Sequence, residues 1–124
     1  MANLNNLLKE MADEIPGLVS AGVIGMDGLT LAEHSPHDFD ADVASAQFSL
    51  VMKLVQKSCS QLGGDQVEDN LITTNNVYIL TRFLGDGSYF MGIAADKNTA
   101  SLGNVRLIAR QYSDALWKAI PKRK

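Results

Sequence analysis

Cysteine is almost absent from this chain: Cys59 is the only one in 124 residues. No internal disulfide can form, so the fold must stand on its core, as expected in a reducing compartment. Aromatic residues make up 6% of the chain and the formal net charge is −3. Single-stranded nucleic acid therefore finds little to stack on, and a phosphate backbone finds no basic field. No nucleic-acid partner is expected. No apolar run approaches the ~18 residues of a membrane span. The start of the chain, with Glu10, Asp13 and Glu14, lacks the basic-then-apolar order of a signal peptide. A cytoplasmic protein without membrane insertion is the expectation. The one basic cluster, Lys118 with Lys122, Arg123 and Lys124, reads as a solvated helix end, with residues 119–124 as a frayed basic tail.

Patterns that carry chemistry are equally scarce. No Gly-x-x-x-x-Gly-Lys-Ser/Thr loop is present, and Gly85-Asp86-Gly87 has the composition of a hairpin turn, so tight nucleotide binding by the chain itself is not expected. Asp38, Asp40 and Asp42 alternate as at the start of a calcium loop. Val43 and Ser49 then stand where that loop needs Gly and Glu. His34 and His37, on a polar segment, are read as solvated rather than as metal ligands. Cys59 falls on the apolar side of a helix with no activating neighbour in sequence, which makes it a core thiol. No acid/base pair or nucleophile constellation can be assembled. The sequence thus predicts no enzyme, no metal and no cofactor.

What is there is a foldable core. With 46% hydrophobic and 20% charged residues, residues 1–124 suit a single globular domain. Leu4, Leu7, Leu8, Met11 and Ile15 follow helical spacing after a candidate cap at Asn3, and Pro16-Gly17 stops them. Residues 18–26 and 29–33 read as two strands joined by Asp27-Gly28. A polar segment, 34–42, leads through a cap at Asp38 or Asp40 into a helix from about Ala41 to Gln61, ended by Gly63-Gly64. Three strand-like runs follow, 66–74, 77–84 and 88–95, with turns at Asn75-Asn76 and Gly85-Asp86-Gly87. A last helix carries Leu102, Val105, Ala109, Tyr112, Leu116 and Ala119 on one stripe, with Trp117 at its flank, and ends at Pro121. The order is αββαβββα, an α/β domain with a five-stranded, mainly antiparallel sheet and helices on both faces.

The second helix has more apolar surface than one sheet can cover. At 100° per residue Val43, Ala46, Leu50 and Leu54 share one side, with Ala44, Phe48, Val51, Met52, Val55 and Cys59 beside them; the span is roughly 240°, against the ~100° stripe of a helix lying on a sheet. Ser45, Ser49, Lys53, Gln56, Lys57 and Ser60 form a narrow polar sector. The strand beginning at Gln66 opens the meander and would lie at its free edge, with unpaired backbone groups. A two-fold dimer satisfies both needs. The interface is assigned to Val43, Ala46, Gln47, Leu50 and Leu54 on the helix and to Val67, Asp69, Leu71 and Thr73 on the strand.

Further motifs carry a family resemblance: Ile15-Pro16-Gly17, then Met26-Asp27-Gly28-Leu29-Thr30-Leu31-Ala32, then Gly92-Ile93-Ala94-Ala95-Asp96, then Gly103-Asn104-Val105-Arg106. In this order and spacing the chain resembles the roadblock family, the dynein light chain type, in particular its stand-alone prokaryotic members similar to gliding-motility GTPase regulators. The resemblance implies a profilin-like fold, a homodimer sharing its sheet and central helices, and a docking platform for a small Ras-like GTPase. Arg82, Arg106 and Arg110 are read as surface residues rather than as a finger for that partner's nucleotide. Structural roles fall to Gly17, Asp27 and Gly28 at turns, to Gly92 for close approach of a helix, to Asp96 or Asn98 as caps, and to Gly103 at the opening of the last helix. Profilin-like and PAS-like sheets also hold small molecules between sheet and helices, so a ligand-sensing or purely structural dimerisation module is the alternative.

Overall fold

A computed structural model describes residues 3–36, 41–64 and 66–121, with the backbone alone at 41 and 42. The first helix, α1 (Leu4–Asp13), begins where the Asn3 side chain accepts from the Asn6 N–H at 2.8 Å, which satisfies one of the free donors at a helix start. Its apolar side, Leu4, Leu7, Leu8 and Met11, is buried. Strands β1 (Leu18–Gly25) and β2 (Thr30–His34) form the first hairpin. Gly28 takes a left-handed φ of 91° in its turn, and Asp27 closes the turn by accepting from the Leu29 N–H at 3.1 Å. The long helix α2 (Ala41–Gly63) follows, then β3 (Asn70–Thr73), β4 (Val77–Leu84), β5 (Tyr89–Asp96) and α3 (Leu102–Ala119). The candidate caps Asp38 and Asp40, with His37, lie outside the described residues.

The five strands make one sheet in the order β2-β1-β5-β4-β3, every neighbouring pair antiparallel. Alternation along the strands divides the side chains between two layers. On one face Val23, Leu80, Met91 and Ile93 pack against Leu8 and Met11 of α1 and Val105, Ile108 and Leu116 of α3. On the other, Ile24 and Phe90 pack against Met52 of α2, with Met26, Phe48 and Phe83 at the margin. The second layer is much the thinner, since one helix covers a face that two helices cover on the opposite side.

Several local assignments are corrected. The third strand is shorter than the run 66–74, so Val67 and Asp69 lie ahead of β3. The Asn75-Asn76 turn lies where the sequence placed it, and Thr74 Oγ1 accepts there from the N–H groups of Asn76 and Val77 at 3.2 and 3.0 Å. The cap of α3 is Ser101, whose hydroxyl accepts from the Asn104 N–H at 3.3 Å. Asp96 ties the preceding turn, taking the Asn98 N–H at 3.0 Å and the Thr99 hydroxyl at 3.3 Å. Ala119 still belongs to α3 and Ile120 is buried, so the tail begins no earlier than Pro121.

Candidate interaction surface

α2 presents one face to the sheet and one outward, and the division differs from the polar sector expected of it. Ser45 and Ser49 are 5% and 3% exposed and face inward: the Thr30 hydroxyl donates to Ser45 Oγ at 2.7 Å, and the Ser49 hydroxyl donates to the Ala46 carbonyl at 2.7 Å. Small hydroxylated residues let the hairpin turn pass close beneath the helix. A Cβ added at Gly28 would come within 3.4 Å of Ser49 Oγ and 3.5 Å of Ala46 Cα. A turn further on, Met52 is fully buried and its sulfur accepts from the Thr81 hydroxyl at 3.0 Å.

The outward face carries Val43, Leu50 and Leu54, exposed by 56%, 59% and 64%, with Ala46 and Gln47 exposed between them. These five residues of the sequence-assigned interface are brought together along the helix. Leu29, exposed in the turn that touches Ala46, flanks the same surface, and Leu62 is exposed near the helix end. Neither was picked out in the sequence, because each sits outside a periodic stretch. Cys59 is a free thiol of intermediate burial rather than a fully enclosed one.

The strand half of the assignment is dispersed. β3 lies at the sheet edge with β4 on one side only. Leu71 packs against the main core and Thr73 is exposed. Asp69 accepts from both Nε and Nη2 of Arg106, at 3.3 and 3.2 Å, and Val67 donates its N–H to Gln56 Oε1 at 3.3 Å. Both are thereby tied to their own chain. Arg82, half-buried, donates to Ser113 Oγ at 3.0 Å, while Arg110 is exposed. Of the three arginines read as surface residues, Arg82 and Arg106 also tie α3 to the rest of the chain.

Some turn residues carry the roles expected of them and others do not. Gly17 has a φ of 87°, and a Cβ there would lie 2.9 Å from Thr99 Cβ. Gly92 has room: a Cβ would meet Ile24 and Thr81 side chains at 3.7 and 3.9 Å, so no helix crowds it. At Gly103 the nearest atom would be Ser101 Oγ at 3.9 Å, so no close packing demands glycine there. Trp117 lies against Gly85 and the edge of the main core. In the same turn the Asp86 carboxylate accepts from the Ser88 hydroxyl at 2.6 Å and its N–H at 3.0 Å, which holds its pKa below the ordinary carboxylate value. Among the described residues no helix is long and apolar enough to cross a membrane, and no group of three or more His, Cys, Asp or Glu is placed to hold a metal ion.

Sheet order, antiparallel pairing and helices on both faces define a profilin-like α/β domain; profilin II of Acanthamoeba castellanii superposes with a TM-score of 0.58 at 13% identity, over 93% of this chain and 94% of that one. The Roadblock/LC7 domain profile matches residues 4–94, and the chain belongs to that family. The gliding protein MglB of Thermus thermophilus is similar in structure, with a TM-score of 0.82 and 20% identity over 92% of this chain and 85% of that one. MglB of Myxococcus xanthus gives 0.83 and 14%, over 93% and 92%. At these identities the likeness is one of fold. No curated protein sequence matches the chain.

Proposed function

We propose that this chain is a cytoplasmic homodimeric regulator or scaffold that docks a small Ras-like GTPase and performs no catalysis with its own residues. The observation that carries the reading is the stripe of Val43, Leu50 and Leu54, each more than half exposed along one side of α2. Fully burying a side chain of this size gains ~1.5–3 kcal/mol. Three on one chain and three on its copy contribute in proportion to the surface still exposed, a gain of the same order as the ~4–15 kcal/mol cost of association. The free edge of β3 lies at the margin of the sheet, where a second copy can continue the ladder by antiparallel pairing. Membership of the roadblock family supports a Ras-like GTPase as the further partner, docked on the composite surface that two copies make.

Sedimentation equilibrium at micromolar concentration tests the first half. The wild-type chain is expected to be a dimer, and Leu50→Asp with Leu54→Asp a folded monomer, because these side chains bury little surface within their own chain. A well-folded monomeric wild type would sink the proposal. Candidate Ras-like GTPases from the same genome, loaded with GDP or a non-hydrolysable GTP analogue, test the second half. Binding by the wild type and its loss in the double variant are expected; no binding in either nucleotide state removes the GTPase and leaves the dimer.

A further inference from the structure

The thin second layer of the fold is not filled along its whole length. Where Met52 packs on Ile24 and Phe90 the layer is closed. Towards the start of α2 the helix stands over a floor with a local gap in its side chains: Gly22 of β1 pairs directly with Gly92 of β5, Ala94 lies two residues further along β5 on the same face, and Ile24, Thr81 and Phe90 border the gap. Ala44, Ser45 and Phe48 form the roof, and Ile79, paired with Ala94, extends the floor. The space between is a cleft of about 310 Å³. A Cβ at Gly22 would lie 3.2 Å from the Ala32 carbonyl oxygen of β2, whereas at Gly92 there is room for one.

Water gains little in this cleft. At ~30 Å³ of liquid volume per molecule it has space for about ten waters, each needing two to four polar partners. Its lining is mostly carbon, so their release favours an apolar occupant. The polar groups are already paired: the Thr30 hydroxyl donates to Ser45 Oγ, Ser20 and Ser35 share a hydrogen bond at 2.9 Å, and the Ser35 hydroxyl reaches the Glu33 carboxylate at 3.3 Å. Among the described residues that line the cleft, Glu33 is the one that carries a charge. An anionic head would meet a like charge there, while an amine or hydroxyl can donate to the carboxylate.

We propose that the cleft between α2 and the sheet binds a small amphiphile, apolar over most of its length, with an amine or hydroxyl head directed to Glu33. Its volume, at the low end for small-molecule sites, suits a medium-length alkyl chain or a compact ring system. The site lies on the inward side of α2, whereas Val43, Leu50 and Leu54 are exposed on its outward side.

Titration of the full chain with 1-aminoanthracene, followed by its fluorescence, tests the site. A saturable blue-shifted signal is expected, displaced by octylamine and octanol and not by octanoate. Ala94→Leu from the floor and Ala44→Leu from the roof each fill the cleft and should weaken the probe at least about tenfold with thermal unfolding retained. If one variant does not fold, the other decides. Glu33→Gln should abolish the preference for octylamine over octanoate. Absence of saturable binding, unchanged affinity in the filled variants, or displacement by octanoate as readily as by octylamine would each overturn the proposal. Sedimentation of the same samples separates such a failure from failure of the dimer.

Discussion

Single residues in this fold are decided by what lies beside them more than by their type. Gly85 and Gly64 both adopt left-handed backbone, with φ of 54° and 79°. A Cβ at Gly64 meets nothing within 4 Å, whereas one at Gly85 would fall 2.1 Å from Trp117 Cε2. Gly64→Ala should therefore cost only the left-handed penalty, roughly 1–2 kcal/mol. Gly85→Ala should cost distinctly more, because the indole must leave its place at the core edge; urea unfolding of the two variants measures the difference. Tyr112 offers a separate test through pH. Its hydroxyl donates to the Glu14 carboxylate, and that bond, helped by desolvation and by the charges of Glu14, Glu10 and Asp13, raises its pKa from 10.0 to about 12. Below pH 10 the phenol keeps its proton in both folded and unfolded chains and the contribution is complete. As pH rises towards 12 the unfolded chain ionises first, so the folded state loses stability. Unfolding midpoints measured across that range should fall more gently in Tyr112→Phe than in the wild type.

At the scale of elements, helix starts and the two sides of α2 show where local pattern suffices. Asn3 was legible as the cap of α1 because it directly precedes the apolar run. The cap of α3 was misplaced on Asp96 or Asn98, since these residues have the right chemistry and only the path of the turn shows that Ser101 directly precedes the helix. Ser101→Ala should cost about 0.5–2 kcal/mol. Gly103→Ala, in the first turn of α3 with space for a methyl, should instead stabilise by roughly 0.5–1 kcal/mol; thermal unfolding of both variants checks the opposite signs. In α2 the excess of apolar residues was legible and its orientation was not. Hydrophobicity places serine outside, but Ser45 and Ser49 face inward because the Gly28 turn and Thr30 leave room only for small side chains that can hydrogen-bond. The outward face is left to Val43, Leu50 and Leu54.

For the whole molecule, a sheet with two helices on one face and one on the other leaves burial unequal between its layers. If two copies share the outer face of α2, folding and association are linked, and the unfolding temperature should rise with protein concentration. Scanning calorimetry across a hundredfold dilution series is expected to show that rise in the wild type and a flat response in Leu50→Asp with Leu54→Asp. The sequence by itself determined the element order, the amphipathic α1 and α3, the edge position of the third strand and the surplus of apolar side chains on α2, because each is written in local periodicity or in turn residues. Only the tertiary structure decided which side of α2 meets the sheet, that Asp69 is held by Arg106 rather than left at the edge, and that Gly22 and Gly92 lie side by side beneath a cleft. Those outcomes depend on residues far apart in the chain meeting across strands and layers, and no periodicity records such encounters.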